Sequence, residues 1–330
     1  MSLFSARFQV VSDLHLETPL QNPMYGKFRL DIKANNLLLL GDIGLVKDEG
    51  LYTWLESLLK STPNLKIFYI FGNHEYYQLS PNVARERMET FTDRMRHAYG
   101  ERLIFMHRRR YDLGPRLTIL GCTLWSHAHP EVQNRLTDFN ETRGIREWGI
   151  QDHNEQHVED LCWLNDQVQK LEKDPGRQIL IMTHHSPTLD SRANDPAHVS
   201  SPVRSGFVTD LSHEPCWTSP AVKMWAFGHT HYNCAFHDDI GKVVIANQKG
   251  YSGLVAVAIS PSPTKMVEAD GECWRIIEME CQATKTPIKK KTPTNAKESP
   301  NNPRQPKKSF FRFASNRLRK LFTRRSQPTK

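Results

Sequence analysis

Five apolar runs, each of strand length, end on the same kind of residue. "RFQVVSDLH" ends in Asp13 and His15, "NLLLLGD" in Asp42, and "IFYIFGNH" in Asn73 and His74. "QILIMTHH" ends in His184 and His185, and "VKMWAFGHTH" in His229 and His231. One polar residue after a strand is ordinary turn chemistry. Asn73, His74 and Glu75 in succession, after Gly72 has freed the backbone to turn, read as a site.

Short apolar runs alternate with helix-like segments, the pattern of an α/β domain. The spacing predicts strands over 7–12, 36–40, 66–71, 102–106, 117–122, 178–182, 222–227, 242–246 and 253–259. It predicts helices over 49–61, 81–100 and 152–173. The last has Asp152 as N-cap and Val158, Leu161, Leu164, Val168 and Leu171 on one face. In an open α/β sheet the carboxyl ends of the strands line one crevice, so residues distant in sequence converge there. Asp, His and Asn together are O/N donors, suited to Mn²⁺, Fe or Zn²⁺ and unsuited to a soft thiolate site. There are too many donors for one ion, and two ions sharing a carboxylate is the economical reading.

The ordered set DxH, GD, GNH, a later strand-end histidine and GHxH resembles the calcineurin-like metallophosphoesterases, over about Gln9 to His231. The resemblance implies a four-layer αββα sandwich with a dinuclear centre at one edge. It implies that Asp13, His15 and His231 hold one metal, that Asn73, His184 and His229 hold the other, and that Asp42 bridges them. His185 is not a ligand position in that family and is expected beside the pocket. Two cations so placed neutralise phosphate oxygens and acidify a bridging water, which attacks phosphorus in line. His74, next to a ligand, is the expected general acid. Glu75 either orients His74 or faces solvent. The stretches "LWSHAHP", "HEPCWTSP" and "GHTHYNCAF" further resemble uncharacterised fungal members.

The phosphoprotein phosphatases of that superfamily follow GD with an "xVDRG"-type stretch, which supplies an acid for the histidine and an arginine for the phosphate. Here "GDIGLVKD" has Leu45 and Val46 at those spacings, which argues against that branch. Arg143 and Arg146 are candidate phosphate clamps, weighed against pairing with Glu141 or Glu147. His127 and His129 face either the site or solvent, solvent being the plainer reading. The long segment Asp190–Pro220, rich in Ser, Pro, Asp and Gly, is expected to wall the site.

Charge divides the chain. Residues 283–330 hold nine lysines and six arginines against Glu298, a net +14, so residues 1–282 carry −6 of the overall +8. The expected organisation is therefore a phosphoesterase domain over 1–282 and a disordered basic tail over 283–330. Within the tail, 309–325 places Phe310, Phe311, Phe313, Leu318, Leu321 and Phe322 on one half of a helical wheel, and Arg312, Arg319 and Lys320 on the other. Such a helix suits an anionic membrane surface or another acidic partner. The "KKK" at 289–291 reads equally as a nuclear import or nucleic-acid signal. Six cysteines without a CxxC pair read as reduced thiols, and no apolar run nears the roughly 20 residues of a membrane span. The expected setting is cytoplasmic, with nuclear or peripheral membrane alternatives, and no signal peptide. The rival to a hydrolase is a metal-binding scaffold recruited through its tail. A scaffold has no need of His74, so the hydrolase, acting on a phosphate mono- or diester, is the leading expectation.

Overall fold

A computed structural model describes residues 5–251, 264–271 and 273–279. The chain divides into two units, Met1–Gln282 and Ala283–Lys330, and all described elements belong to the first. The expected strand at 253–259, the tail and its helix at 309–325 lie outside the described residues.

The first half of the chain runs β1 (Ser5–Val11), β2 (Asn36–Leu40), α1 (Glu49–Ser61), β3 (Lys66–Ile70), α2 (Pro81–Tyr99) and β4 (Leu103–Phe105). Then come β5 (Arg109–Asp112), β6 (Leu117–Gly121), α3 (Ile150–Leu171), β7 (Gln178–Met182), the short α4 (Pro215–Thr218) and β8 (Val222–Phe227). The described residues close with β9 (Cys234–His237), β10 (Val243–Ala246), β11 (Thr264–Asp270) and β12 (Cys273–Met279). One six-stranded sheet has the order β12-β11-β1-β2-β3-β4, the other β5-β6-β7-β8-β10-β9. The apolar runs LLLL of β2, IFYI of β3 and ILIM of β7 suit parallel strands buried on both faces.

Side-chain alternation along those strands separates three cores. Leu37, Leu39, Ile67 and Tyr69 pack beneath α1 and α2, with Trp54, Leu55 and Phe91. Leu38, Leu40, Phe68 and Ile70 face the other way and meet Leu180 and Met182 between the sheets. Ile179 and Ile181 turn outward under Leu164, Val168 and Leu171 of α3. The result is the expected four-layer αββα sandwich.

β2, β7, β8 and α1 have the predicted bounds. The edge strand β5, "RRYD", was not predicted because it is exposed and carries no apolar run. Two expectations for α3 are corrected. Its N-cap is Gly149, and Asp152 sits inside the first turn, where Oδ2 accepts the Gly149 N–H at 2.8 Å. Its inward face is not the apolar stripe alone: Val158 is 52% exposed, whereas His153, His157 and Asp160 are buried. Asp160 is buried because it has partners, the Leu124 N–H at 2.8 Å and Arg108 Nε at 2.6 Å. Apolar periodicity does not register such a face.

Candidate metal centre

The loops after β1, β2, β3, β7 and β8 meet at one end of the two sheets. Asp13, His15, Asp42, His229 and His231 all have positive φ, between 46° and 69°. That region is costly for residues other than glycine, and strain of this kind concentrates at functional sites. The turns are also tightly packed against one another. A Cβ on Gly72 would lie 2.3 Å from Asp42 Oδ1 and 2.6 Å from His184 Nε2. Only glycine lets the β3 turn approach that closely.

Hydrogen bonds from the surrounding structure decide which atom each ligand candidate presents. His15 Nδ1 is 3.3 Å from Glu17 Oε1, His184 Nδ1 donates to the Leu40 carbonyl at 2.7 Å, and His229 Nε2 donates to the Gly206 carbonyl at 3.2 Å. Each imidazole is left with one lone pair, and these point at one another. Asn73 donates its amide to Asp138 Oδ1 at 2.8 Å, which turns Asn73 Oδ1 inward. His184 Nε2 then faces Asn73 Oδ1 at 3.2 Å, His229 Nδ1 at 3.1 Å and Asp42 Oδ1 at 3.4 Å. His15 Nε2 lies 3.0 Å from His231 Nε2 and 3.7 Å from Asp42 Oδ2, and His231 Nε2 lies 3.4 Å from Asp13 Oδ1. Donors bound to one ion at about 2.0–2.2 Å stand about 3 Å apart when their bonds meet at a right angle. Two groups of converging acceptors with that spacing, sharing the two oxygens of Asp42, fit two divalent cations.

Electrostatics agree with that fit. Burial pushes the imidazoles of His184 and His229 below their ordinary range and His15 down to about 4. All three are therefore neutral near pH 7, the form that binds metal. Burial, and then the carboxylates of Glu75 and Asp13, push Asp42 well above the usual carboxylate range. A bound cation is what keeps such a group ionised. Burial also acts to raise Asp13, but its hydrogen bond to His231 and the neighbouring imidazoles hold it low.

His74 adjoins both groups, and its Nε2, 3.9 Å from Asp42 Oδ2, forms with His15 and Asp42 a further set of atoms close enough to hold an ion. Its backbone N–H donates to Asp42 Oδ1 at 2.9 Å, and its Nδ1 is 2.9 Å from Glu17 Oε1. Its Nε2 is 3.2 Å from the Tyr251 hydroxyl, at the wall of the cleft. Glu75 neither orients His74 nor faces solvent. It is fully buried and accepts from the N–H groups of Asp42 and Ile43 at 2.8 Å, Gly72 at 2.7 Å and the Tyr69 hydroxyl at 2.7 Å. It ties the β2 turn to the β3 turn. Glu17 is the acid behind His74, a partner absent from the "GDIGLVKD" stretch and supplied instead from the β1 turn. The signal was present as the fifth letter of "DLHLE".

A cleft of about 500 Å³ opens over the centre. As expected, the 190–220 segment walls it, through Asn194, His198, Arg204 and Phe207 among others. Arg143 and Arg146 do not line it, nor do His127 and His129, which are all exposed. The arginines that line it are Arg135 and Arg204, which sequence reading passed over because loop arginines carry no periodic signal. His185 is buried, takes the Ser126 N–H on Nδ1 at 3.2 Å and stacks on His229 at 4.0 Å. Among the described residues its Nε2 has no hydrogen-bond partner, and with His184 and His229 it forms a further group whose ligand atoms lie close enough to hold an ion.

Comparison with known proteins adds three likenesses. The chain is 30% identical over 267 residues, 73% of this chain and 90% of the relative, to Uncharacterized protein L509 of Acanthamoeba polyphaga mimivirus. It superposes on a phosphopantetheinyl hydrolase from Mycobacterium tuberculosis with a TM-score of 0.52 at 15% identity, covering 75% of this chain and 90% of that one. A dimetal phosphatase from Danio rerio gives 0.51 at 13% identity, covering 83% and 95%. At those identities the two structures speak for the fold alone. The fungal likeness finds no support in these matches. Residues 6–233 match the calcineurin-like phosphoesterase family, and the chain belongs to that family.

Proposed function

We infer that the protein is a dinuclear-metal phosphoesterase. Asp13, His15 and His231 hold one divalent ion, Asn73, His184 and His229 the other, and Asp42 bridges them. The convergence of neutral imidazole lone pairs, an amide oxygen and buried carboxylates carries this reading. Apart from the His231–Asp13 hydrogen bond, these acceptors gain little from facing one another without cations, and the hydrogen bonds behind His15, His184, His229 and Asn73 fix that orientation. A donor set of oxygen and imidazole nitrogen suits Mn²⁺, Fe or Zn²⁺. Such ions supply charge neutralisation for a phosphoryl group and a water acidic enough to attack it near pH 7.

The chain's own residues do the rest. Glu17 holds the His74 ring by Nδ1, leaving Nε2 at the cleft to protonate the departing oxygen. Tyr251 stacks on His15 at 4.4 Å and covers that nitrogen until substrate arrives. The decisive assay offers the Mn²⁺-loaded protein p-nitrophenyl phosphate, its bis-ester and cyclic nucleotides, which also separates monoester from diester preference. Hydrolysis lost together with metal content in Asp42→Asn is expected. Full activity at unchanged metal stoichiometry would refute the assignment. His74→Ala should lose about 10²–10⁴-fold on alkyl phosphates and far less on p-nitrophenyl esters, whose leaving group needs no proton. Equal losses would give His74 a different role.

The same reading extends to the whole chain: a catalytic domain over 1–282 and a basic tail over 283–330 that draws the protein from the cytoplasm to anionic membrane surfaces. The +14 of that segment supports it, at about 1 kcal/mol per basic residue close to such a surface. Cosedimentation of full-length protein with phosphatidylserine vesicles at low salt is the test, and a protein left in the supernatant rejects it.

A further inference from the structure

We propose that the cleft over the metal centre holds a second phosphate of the substrate, between Arg135 and Arg204, so that the substrate is a small phosphoester bearing another phosphate group. The proposal deepens the phosphoesterase reading and rests on it for the first phosphate.

The charges in the cleft are unequally committed. Asp138 is occupied by the Asn73 amide at 2.8 Å and the Tyr77 hydroxyl at 2.7 Å, and Asp195 by the Ala197 N–H at 2.8 Å. Among the described residues the two arginines have no carboxylate partner. Among the described residues the Arg135 guanidinium has no partner, and Arg204 reaches only the Val199 carbonyl, at 3.4 Å. Some arginines of this chain pair with a carboxylate, Arg108 with Asp160, Arg192 with Asp190 and Arg177 with Asp174, and others, such as Arg87 and Arg143, have none among the described residues. Unpaired guanidinium groups on a convex surface mean little. Two in one concave wall beside a centre built for phosphate offset the charges of Asp138 and Asp195 and supply N–H donors in the fork geometry that fits phosphate oxygens.

Both arginines stand on segments that touch each other and the metal ligands. Leu136, next to Arg135, packs where Gly206 leaves room, and a Cβ there would lie 2.4 Å from Leu136 Cδ1. Gly206 accepts the His229 Nε2 proton, and Phe207 stacks on the His229 ring at 4.6 Å. The Phe207 carbonyl also takes the Ser186 N–H at 3.2 Å, which anchors the segment to the loop after β7. The guanidinium groups are thus carried on a wall fixed to the ligand that holds one metal. The volume of about 500 Å³ lies within the roughly 300–1,000 Å³ of small-molecule sites, which suits a nucleotide-sized compound rather than a folded phosphoprotein.

The test compares adenosine 5′-monophosphate with adenosine 3′,5′-bisphosphate on the metal-loaded full-length protein. The variants are Arg135→Gln/Arg204→Gln and Arg135→Lys/Arg204→Lys. The bisphosphate should have at least a tenfold higher kcat/KM in the native protein. That ratio should fall to near one in the Gln pair and be largely kept in the Lys pair. A ratio near one in the native protein, or one unchanged in the Gln pair, overturns the proposal while p-nitrophenyl phosphate hydrolysis still upholds the phosphoesterase. Should neither nucleotide nor p-nitrophenyl phosphate be hydrolysed, the phosphoesterase reading falls and calorimetric titration with the bisphosphate decides. Binding at least tenfold weaker in the Gln pair then supports the anion site, and equal or absent binding rejects it.

Discussion

Glu75 offers the sharpest test of how the centre is assembled. Its Oε2 accepts the N–H groups of Asp42 and Gly72, and its Oε1 accepts that of Ile43 and the Tyr69 hydroxyl. In Glu75→Gln the oxygen can keep the first pair, and Tyr69 can rotate to accept from the new amide. The Ile43 N–H then faces an N–H and is orphaned. In Glu75→Ala the N–H groups of Asp42, Ile43 and Gly72 lose their partner, and the long Gly44 contact at 3.5 Å goes with them. Each orphaned buried donor costs about 1–3 kcal/mol. Burial already pushes the Glu75 carboxyl up, so its own desolvation offsets part of the gain and the lower half of that range applies. At about 1.5 kcal/mol per donor the expected losses are about 1.5 kcal/mol for Gln and about 4.5 kcal/mol for Ala. At a urea slope of about 2 kcal/mol per M, the midpoints fall by about 0.75 M and about 2.25 M. Chelated protein unfolded in urea and followed by circular dichroism is the assay. An Ala variant within about 1 kcal/mol of the native protein, or a Gln variant worse than Ala, would refute the reasoning, since both follow from counting orphaned donors.

Glu17→Ala removes the partner of both His15 and His74, and should cost about 10–100-fold in metal affinity or turnover. Metal titration together with a leaving-group series measures it, and native values in both would dismiss Glu17. Gly72→Ala puts a methyl 2.3 Å from Asp42 Oδ1, so metal content by elemental analysis should drop sharply; full loading would show that the turn yields. Burial lowers His15 and His153 from 6.5 to about 4 and His107 to about 3. Between those values the unfolded chain binds more protons than the folded one, so stability is full above 6.5 and is lost as pH falls through about 4. Denaturant unfolding of the chelated protein across that range should show the decline, and a flat profile contradicts it.

The strands of the core were readable because parallel strands buried on both faces are apolar over nearly their whole length, as in "LLLL" of β2 and "ILIM" of β7. The ligand candidates were readable for a related reason. A polar residue directly after such a run sits at the strand's end wherever the strand lies in the sheet, so Asp42, Asn73 and His184 announce a common edge. Those determinants are local, and the sequence by itself determined them. Other features depend on how two sheets and their loops pack, and no local pattern encodes that. Glu75 looks like a neighbour of His74, yet its carboxylate turns back to the N–H groups of Asp42 and Ile43 in the β2 turn and of Gly72 in its own. Glu17 reaches His74 across 57 residues, and Arg135 meets the Arg204 segment only because Leu136 fits against Gly206. The buried face of α3 was misjudged at His153, His157 and Asp160, since the loops beneath it offer hydrogen bonds in place of apolar surface. A side chain's apolar or polar character is a property of one residue and is legible in one letter; its partner is a property of the packed chain, and only the tertiary structure decided it.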